Sequence, residues 1–198
     1  MASRGPGAFT LNTTLASGFS AALARANPLT TLNRWRVHDL VVLQLLILLI
    51  VANGSPVVAK RIFGKNFAQP LDGNIKFVDS RPLFGASKTI RGILAAISTT
   101  SAAAPLLGFS PLIGLVVATT AMAGDLLSSF LKRRIGLQPS SQAVGLDQIP
   151  ESLFPLLACG QMLSLSAVDV VAGTAVFFVG ELALSRVLFR LHVRDRPY

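Results

Sequence analysis

The chain has 198 residues, of which 52% are hydrophobic and only 14% are charged, and its formal net charge at pH 7 is +9. About a quarter of the residues in an average soluble domain are charged, so this composition argues against a soluble protein and predicts an integral membrane protein. The single cysteine, Cys159, excludes a disulfide framework and a cysteine-based zinc site.

The first part of the chain differs in composition from the rest. Residues 1–36 contain four arginines, no acidic residue and many small polar residues. This composition favours a disordered N-terminal tail, with a transit peptide or an over-extended start as the alternatives. We therefore expect a tail over residues 1–36 and a single transmembrane domain over residues 37–198.

Long uncharged stretches predict the membrane-spanning helices. A helix needs about 20 mainly apolar residues to cross about 30 Å of hydrocarbon. The uncharged run at 92–124 is too long for one span, and the turn-forming residues 108–111 divide it. We predict an all-α polytopic membrane protein with about five transmembrane helices, near residues 40–59, 92–109, 111–131, 152–168 and 170–190. The fourth span is short, and a turn at 167–169 separates it from the fifth.

The basic residues are concentrated on one side of these spans. Fourteen lie in alternate connections or at the C-terminal end, and the other two connections contain none. They are Lys60, Arg61, Lys65, Lys76, Arg81, Lys88, Arg91, Lys132, Arg133, Arg134, Arg186, Arg190, Arg194 and Arg196. The positive-inside rule places that side in the cytoplasm, so we expect a cell-membrane protein with its catalytic loops facing the cytoplasm. This placement of charge also argues against nucleic acid as a partner.

The first cytoplasmic loop ends in DSRPLFGASKTIRG, residues 79–92. It combines the hydroxyls of Ser87 and Thr89 with the cations Arg81, Lys88 and Arg91. Such a combination suits a phosphate-bearing ligand, because arginine forms a bidentate fork and lysine provides a point charge. A basic loop that rests on anionic lipid is the open alternative.

The third predicted span carries a polar stripe. Asp125, Ser128, Ser129 and Lys132 lie at positions i, i+3, i+4 and i+7, which share one face of a helix. Ionisable residues in a membrane helix usually face a cavity or a partner and mark a functional site. The structural alternative is that Asp125 pairs with Lys132 or with a neighbouring helix and only stabilises the bundle.

The second cytoplasmic loop ends in LDQIPES, which places Asp147 and Glu151 just before the fourth span. Oxygen ligands without histidine or cysteine suit Mg²⁺ or Mn²⁺ rather than zinc. Carboxylates, a metal ion and nearby cations are what phosphoryl or nucleotidyl transfer requires. Because the site would lie at the membrane surface, we expect one substrate to be a lipid.

Three blocks of this sequence resemble a known enzyme family. GDLLSSFLKRR, residues 124–134, followed by LDQ resembles the signature of the CTP-dependent lipid cytidylyltransferases, and FGASKTIRG resembles their upstream block. Within that superfamily the short chain is more similar to the CDP-archaeol synthase family than to the longer CDP-diacylglycerol synthases. The break ANGSP, residues 52–56, also resembles the archaeol branch. The resemblance covers residues 40–190.

The resemblance implies a reaction and a set of site residues. The reaction is transfer of CMP from CTP to an isoprenoid-ether glycerol phosphate in the membrane, with release of pyrophosphate and a requirement for Mg²⁺. By this resemblance, Asp125, Asp147 and Lys132 are catalytic, and Asp125 and Asp147 bind the metal. The expected CTP-binding residues are Ser87, Lys88, Thr89, Arg91, Lys132 and Arg133. Membrane lipids are expected as further partners, and a homodimer is an alternative to a monomer.

One position departs from the family pattern. The family has Asp-x-x-Asp where this chain has Pro150, and the next acid is Glu151. If the fourth helix begins here, Pro150 fits its first turn, and Glu151 reaches the metal as a third ligand or acts as a first-turn acid. The rival functions are an enzyme acting on phosphatidic acid, a non-catalytic relative, and a small transporter with Asp125 and Glu181 as intramembrane relays.

Overall fold

The computed structural model describes residues 28–139 and 141–190. Five α-helices confirm the all-α prediction: α1 (Pro28–Phe63), α2 (Ile90–Ala103), α3 (Pro111–Arg134), α4 (Gln148–Gly160) and α5 (Ala167–Arg190), with a 3₁₀ turn at Ala104–Leu107. Within the described ranges the β structure is limited to two isolated bridges, Pro70 with Thr89 and Lys76 with Pro82. The described residues divide between two units, one ending at Leu40 and the other beginning at Val41. Residues 1–27 of the predicted tail lie outside the described residues, and residues 28–36 belong to α1.

Among the described residues, four helical segments are long and apolar enough to cross a membrane: His38–Phe63, Ile90–Leu107, Pro111–Arg134 and Ala167–Val187. Helix α4 is different, because it has only 13 residues. At about 1.5 Å per residue it is about 20 Å long, which is less than the hydrocarbon thickness of about 30 Å. The predicted span at 152–168 therefore had the wrong bounds, since the helix begins at Gln148 and ends at Gly160.

A capping box explains where the last two helices separate. The carboxylate of Asp169 accepts hydrogen bonds from Ser166 N at 2.7 Å and Ser166 Oγ at 2.8 Å, and Asp169 N donates back to Ser166 Oγ at 3.2 Å. This reciprocal pair satisfies backbone donors at the start of a helix, so α5 begins at Ala167. The turn predicted at 167–169 lies instead at 161–166.

Small residues allow the helices to pack closely. A Cβ atom on Gly114 of α3 would lie 2.6 Å from Thr100 O and 2.7 Å from Ser101 Cα of α2. Between membrane helices such close approach stabilises packing, because burial against lipid supplies little driving force. The core that results contains Leu45, Leu48, Leu49, Val117, Leu156 and Phe177.

Large apolar side chains are exposed along the membrane-spanning helices. Leu43, Leu112 and Val176 are each more than half exposed. A soluble protein rarely exposes a wide apolar surface, whereas lipid chains cover such a surface in a bilayer. The exposed residues therefore support the membrane location.

Candidate active site

Asp72 organises the loop between α1 and α2. Its Oδ2 accepts hydrogen bonds from the backbone N–H groups of Phe84 and Gly85, both at 3.0 Å, and its Oδ1 accepts one from Asn74 N at 3.0 Å. Burial alone would raise the pKa of Asp72, but these donors outweigh it and hold that pKa below its usual value. Asp72 was not predicted from the sequence, although an aspartate after Pro70 and before Gly73 is typical of a side-chain-stabilised turn.

The loop places Lys88 against the third span. Thr89 is the N-cap of α2, because its Oγ1 accepts a hydrogen bond from Gly92 N at 3.1 Å. Lys88 precedes this cap, and its Nζ lies 2.5 Å from Asp125 Oδ1 and also contacts Oδ2. Both side chains keep about a quarter of their surface exposed. The partner of Asp125 is thus Lys88 rather than Lys132.

The polar face of α3 contacts the second loop. Ser128, Ser129 and Lys132 are buried, as a shared polar face predicts. Ser128 Oγ lies 2.7 Å from Leu146 O. Lys132 Nζ donates to Ser141 O at 3.0 Å and lies 2.7 Å from Asp147 Oδ1. These contacts fix the loop that carries Asp147.

A glycine brings the two acidic segments together. A Cβ atom on Gly124 would lie 2.5 Å from Pro150 C and 2.8 Å from Glu151 N, so the backbone beside Asp125 touches the first turn of α4. Pro150 lies in that turn, as predicted. Glu151 is only 8% exposed.

The acids and one lysine share a single region of charge. Glu151 interacts electrostatically with Asp125, Glu181, Lys88 and Asp147. We call Asp125, Asp147, Glu151 and Glu181 the acidic cluster. From the sequence, Glu181 was predicted only as an intramembrane relay of the transporter alternative, and the structure adds it to this cluster.

Arginines connect the two loops. Arg133, which is 3% exposed, donates from Nη2 to Gln138 O at 2.8 Å. Arg134 Nη1 pairs with Asp79 Oδ1 at 2.5 Å. Arg81 Nη1 donates to Arg134 O at 2.7 Å and to Arg133 O at 3.2 Å, so it satisfies carbonyls at the C-terminal end of α3. These contacts hold the loops in register.

The other predicted CTP-binding residues lie apart from the acidic cluster or have other contacts. Ser87 is exposed, and Thr89 caps α2. Arg91 lies in the first turn of α2, and its Nη1 donates to two carbonyls just after the end of α1, Asn66 O and, at 3.2 Å, Gly64 O. The structure therefore brings Lys88 and Lys132 to the predicted metal-binding aspartates, but not Arg91.

The fit to a divalent metal is partial. Among the described residues no three His, Cys, Asp or Glu side chains converge closely enough to form a ready metal site. Asp147 Oδ1 is nevertheless buried and accepts no well-directed hydrogen bond, although Lys132 pairs with it. A buried carboxylate oxygen of this kind is a donor that suits Mg²⁺.

Known proteins are similar to this chain in sequence and in fold. A family model described as CarS-like CDP-archaeol synthase matches residues 100–198. The CDP-archaeol synthase of Sulfurisphaera tokodaii is 31% identical over 155 residues, which cover 75% of this chain and 90% of that protein. The chain belongs to the CDP-archaeol synthase family. Another CDP-archaeol synthase, from Pyrobaculum calidifontis, is 32% identical over 157 residues, 75% of this chain and 91% of the relative.

A solved structure agrees with the CDP-archaeol synthase assignment. It is described as an intramembrane enzyme for archaeal membrane lipids biosynthesis. Its TM-score to this chain is 0.63 at 30% identity, and the match covers 71% of this chain and 90% of that chain. The family match at 100–198 includes Asp125, Lys132, Asp147 and Glu151.

Proposed function

We propose that the protein is an integral-membrane CTP-dependent cytidylyltransferase that transfers CMP from CTP to a lipid glycerol phosphate. Membership of the CDP-archaeol synthase family supports the reaction. The observation that carries the assignment of residues is the pairing of Lys88 with Asp125 and of Lys132 with Asp147 beside buried Glu151. These residues combine charges for a triphosphate with carboxylates for a metal, inside a membrane protein.

The reaction requires charge stabilisation more than covalent participation by the protein. A phosphate oxygen of the lipid attacks the α-phosphorus of CTP, a new P–O bond forms, and the bond to the bridging oxygen breaks as pyrophosphate leaves. Lys88 and Lys132 stabilise the negative charge on the triphosphate and on the leaving group. Before the nucleotide binds, Asp125 holds Lys88 and Asp147 holds Lys132 in the site.

Mg²⁺ is part of this proposal. Asp125, Asp147 and Glu151 would hold the ion only after they move closer together and the two lysines turn toward phosphate oxygens, because no three such side chains converge among the described residues. The bound ion would neutralise phosphate charge and orient the triphosphate. The buried oxygen of Asp147 and the position of Glu151 beside Asp125 support this arrangement.

Pyrophosphate release tests the proposed function directly. Purified protein in lipid nanodiscs is expected to release pyrophosphate from CTP only when a lipid phosphate is added. An isoprenoid-ether glycerol phosphate is expected to be a better substrate than phosphatidic acid. Absence of release with both lipids would favour a non-catalytic relative or a transporter.

Removing either lysine should affect CTP more than lipid. In Lys88→Ala and Lys132→Ala we expect a higher KM for CTP and a lower kcat, because a hydrogen bond to a charged group contributes about 1.5–3 kcal/mol. Lys76→Ala is the matched control, since Lys76 is exposed in the same loop. Initial rates at varied CTP and fixed lipid measure the effect. Unchanged CTP kinetics in a variant would remove that lysine from the site.

Glu151 is expected to contribute to metal binding. Glu151→Gln keeps the size of the side chain but removes its charge, so we expect the Mg²⁺ concentration for half-maximal activity to rise. Titration of activity with Mg²⁺ measures this concentration. The control is Asp79→Asn, which removes the charge of an acid that is 37% exposed and pairs with Arg134. An unshifted Mg²⁺ curve would leave Glu151 as a first-turn acid of α4.

The proposed orientation places both loops in the cytoplasm. A cysteine at exposed Ser80 should react with an impermeant maleimide only after the cells are opened. A cysteine at Met162, which is half exposed in the turn between α4 and α5, should react in intact cells. Cys159 is buried, so the background should be low. The reverse pattern would invert the topology and remove the site from cytoplasmic CTP.

A further inference from the structure

A groove lies between α1 and α2, apart from the acidic cluster. Its volume is about 920 Å³, and apolar side chains such as Val58, Ile62 and Leu94 form most of its lining. Ligand pockets are typically about 300–1,000 Å³, so the groove is large enough for part of a lipid. Small residues keep it open, among them Gly54 and Ala95.

The groove has the length of one lipid leaflet. It extends along α1 from Val51 to Phe63, a distance of about 18 Å at 1.5 Å per residue. Half of the hydrocarbon thickness is about 15 Å. A lipid chain that enters from one side of the membrane therefore matches the groove in both length and chemistry.

One end of the groove carries a cation. Arg91 is the one charged residue among the described residues that line it. Its Nε is buried and makes no hydrogen bond, and its guanidinium carbon lies 6.0 Å from the centre of the Phe63 ring. An apolar channel with an arginine at one end is complementary to an amphiphile with an anionic headgroup, and arginine is suited to phosphate.

The start of α2 separates this groove from the nucleotide-binding residues. Lys88, just before the N-cap, contacts Asp125, whereas Arg91, in the first turn, lines the groove. The two residues are three positions apart, on either side of the N-cap Thr89, and three residues of extended chain span at most about 11 Å. In the proposed complex, a lipid phosphate at Arg91 would have to approach the triphosphate held at Lys88 around this cap.

We propose that the groove between α1 and α2 binds a chain of the lipid phosphate substrate and that Arg91 contacts its phosphate. This assignment rests on the proposed function and replaces the expectation that Arg91 binds CTP. It separates the two substrates on opposite sides of one helix N-terminus: Lys88 contacts the nucleotide, and Arg91 contacts the lipid.

Photo-crosslinking tests the occupant of the groove. The probe is a glycerol phosphate with two long isoprenoid ether chains and a diazirine at the end of one chain. We expect adducts within residues 51–62 and 94–99, and we expect excess unlabelled lipid phosphate to compete better than the same diether without phosphate. Adducts confined to other helices, equal competition by the uncharged diether, or crosslinks between two protein copies at this groove would each overturn the assignment.

Two variants test the same groove by kinetics. Gly54→Phe puts a large side chain into the groove, and the Cβ atom of that side chain has room, because it meets nothing within 4 Å. We expect its KM for the long-chain lipid phosphate to rise by about tenfold or more, as blocked apolar pockets do, with the KM for CTP unchanged. Gly180→Phe, at an exposed position of α5 that is equally open, is the control. A four-carbon-chain version of the lipid phosphate should be used equally by both variants.

Arg91→Ala should raise the KM for the short-chain and long-chain lipid phosphates alike, and Arg91→Lys should restore part of the loss. These readouts separate the two levels of the proposal. If the wild-type protein is active but Gly54→Phe matches Gly180→Phe, the groove assignment is wrong and the proposed function stands. If the wild-type protein releases pyrophosphate with no lipid phosphate, both are wrong.

Discussion

Asp125→Asn is expected to remove CMP transfer while the protein remains folded in the membrane. The amide keeps the shape of the side chain but loses the charge that holds Lys88 and that would bind Mg²⁺. We expect kcat to fall by about 100-fold to 1,000-fold, the range observed when one electrostatic stabiliser is removed from an active site. Pyrophosphate release and size-exclusion chromatography on the same sample measure activity and folding together.

The control for this change is Asp79→Asn. It also removes an aspartate that pairs with a basic residue, Arg134, but the Asp79 side chain is 37% exposed, against 25% for Asp125, and exposed ion pairs contribute only about 0–1 kcal/mol. Near wild-type activity is expected. If instead Asp125→Asn lowers the amount of folded protein but not the turnover per folded molecule, Asp125 has a structural role and the metal assignment fails.

Gly124→Ala is expected to damage both stability and activity. The added Cβ atom would lie 2.5 Å from Pro150 C and 2.8 Å from Glu151 N, and backbone atoms at a helix junction have little room to move. Overpacking of this kind costs about 1–3 kcal/mol. Because α3 and α4 must separate, Asp125 moves away from Glu151, so the rate of CMP transfer should fall along with the unfolding temperature.

A second glycine isolates the effect of this contact. Gly180→Ala adds the same methyl group to a helix interior where nothing lies within 4 Å, and alanine favours the helix by about 1 kcal/mol over glycine. We expect unchanged activity and equal or higher thermal stability. Similar behaviour of the two alanine variants, measured by thermal unfolding in detergent, would show that the junction tolerates a side chain.

The helices could be predicted from the sequence because lipid imposes a simple rule. Long uncharged runs must be helical in a bilayer, and this rule located four spans. It failed at the fourth predicted span because the uncharged run continues through residues 161–166, where the chain turns. In the structure, the capping box of Ser166 and Asp169 fixes the start of α5 at Ala167. Its sequence signal, Ser-x-x-Asp, is short and frequent, so it was not a strong guide.

The site could be predicted in part. Helical spacing correctly placed Ser128, Ser129 and Lys132 on a buried face. The pairing of Lys88 with Asp125 joins residues 37 apart in the sequence, and local periodicity gives no information about such contacts. Lys88 and Arg91 were grouped because they are close in the chain, but the N-cap at Thr89 sends them to different surroundings. Asp72 was missed because its turn pattern predicts only a local turn. The pattern gives no information about the N–H groups of Phe84 and Gly85, which lie 12 and 13 residues away in the sequence.

The shortness of α4 and the position of Asp125 within α3 bear on how deep in the membrane the proposed site lies. A 13-residue helix is about 10 Å shorter than the hydrocarbon layer. Asp125 lies nine residues before the end of α3 at Arg134, which is about 13 Å along the helix axis. Asp125 therefore lies inside the candidate membrane span Pro111–Arg134 rather than at its end. If CMP transfer takes place at Asp125 as proposed, a lipid phosphate can react while its chains stay in the bilayer, and CTP is the substrate that must enter the span.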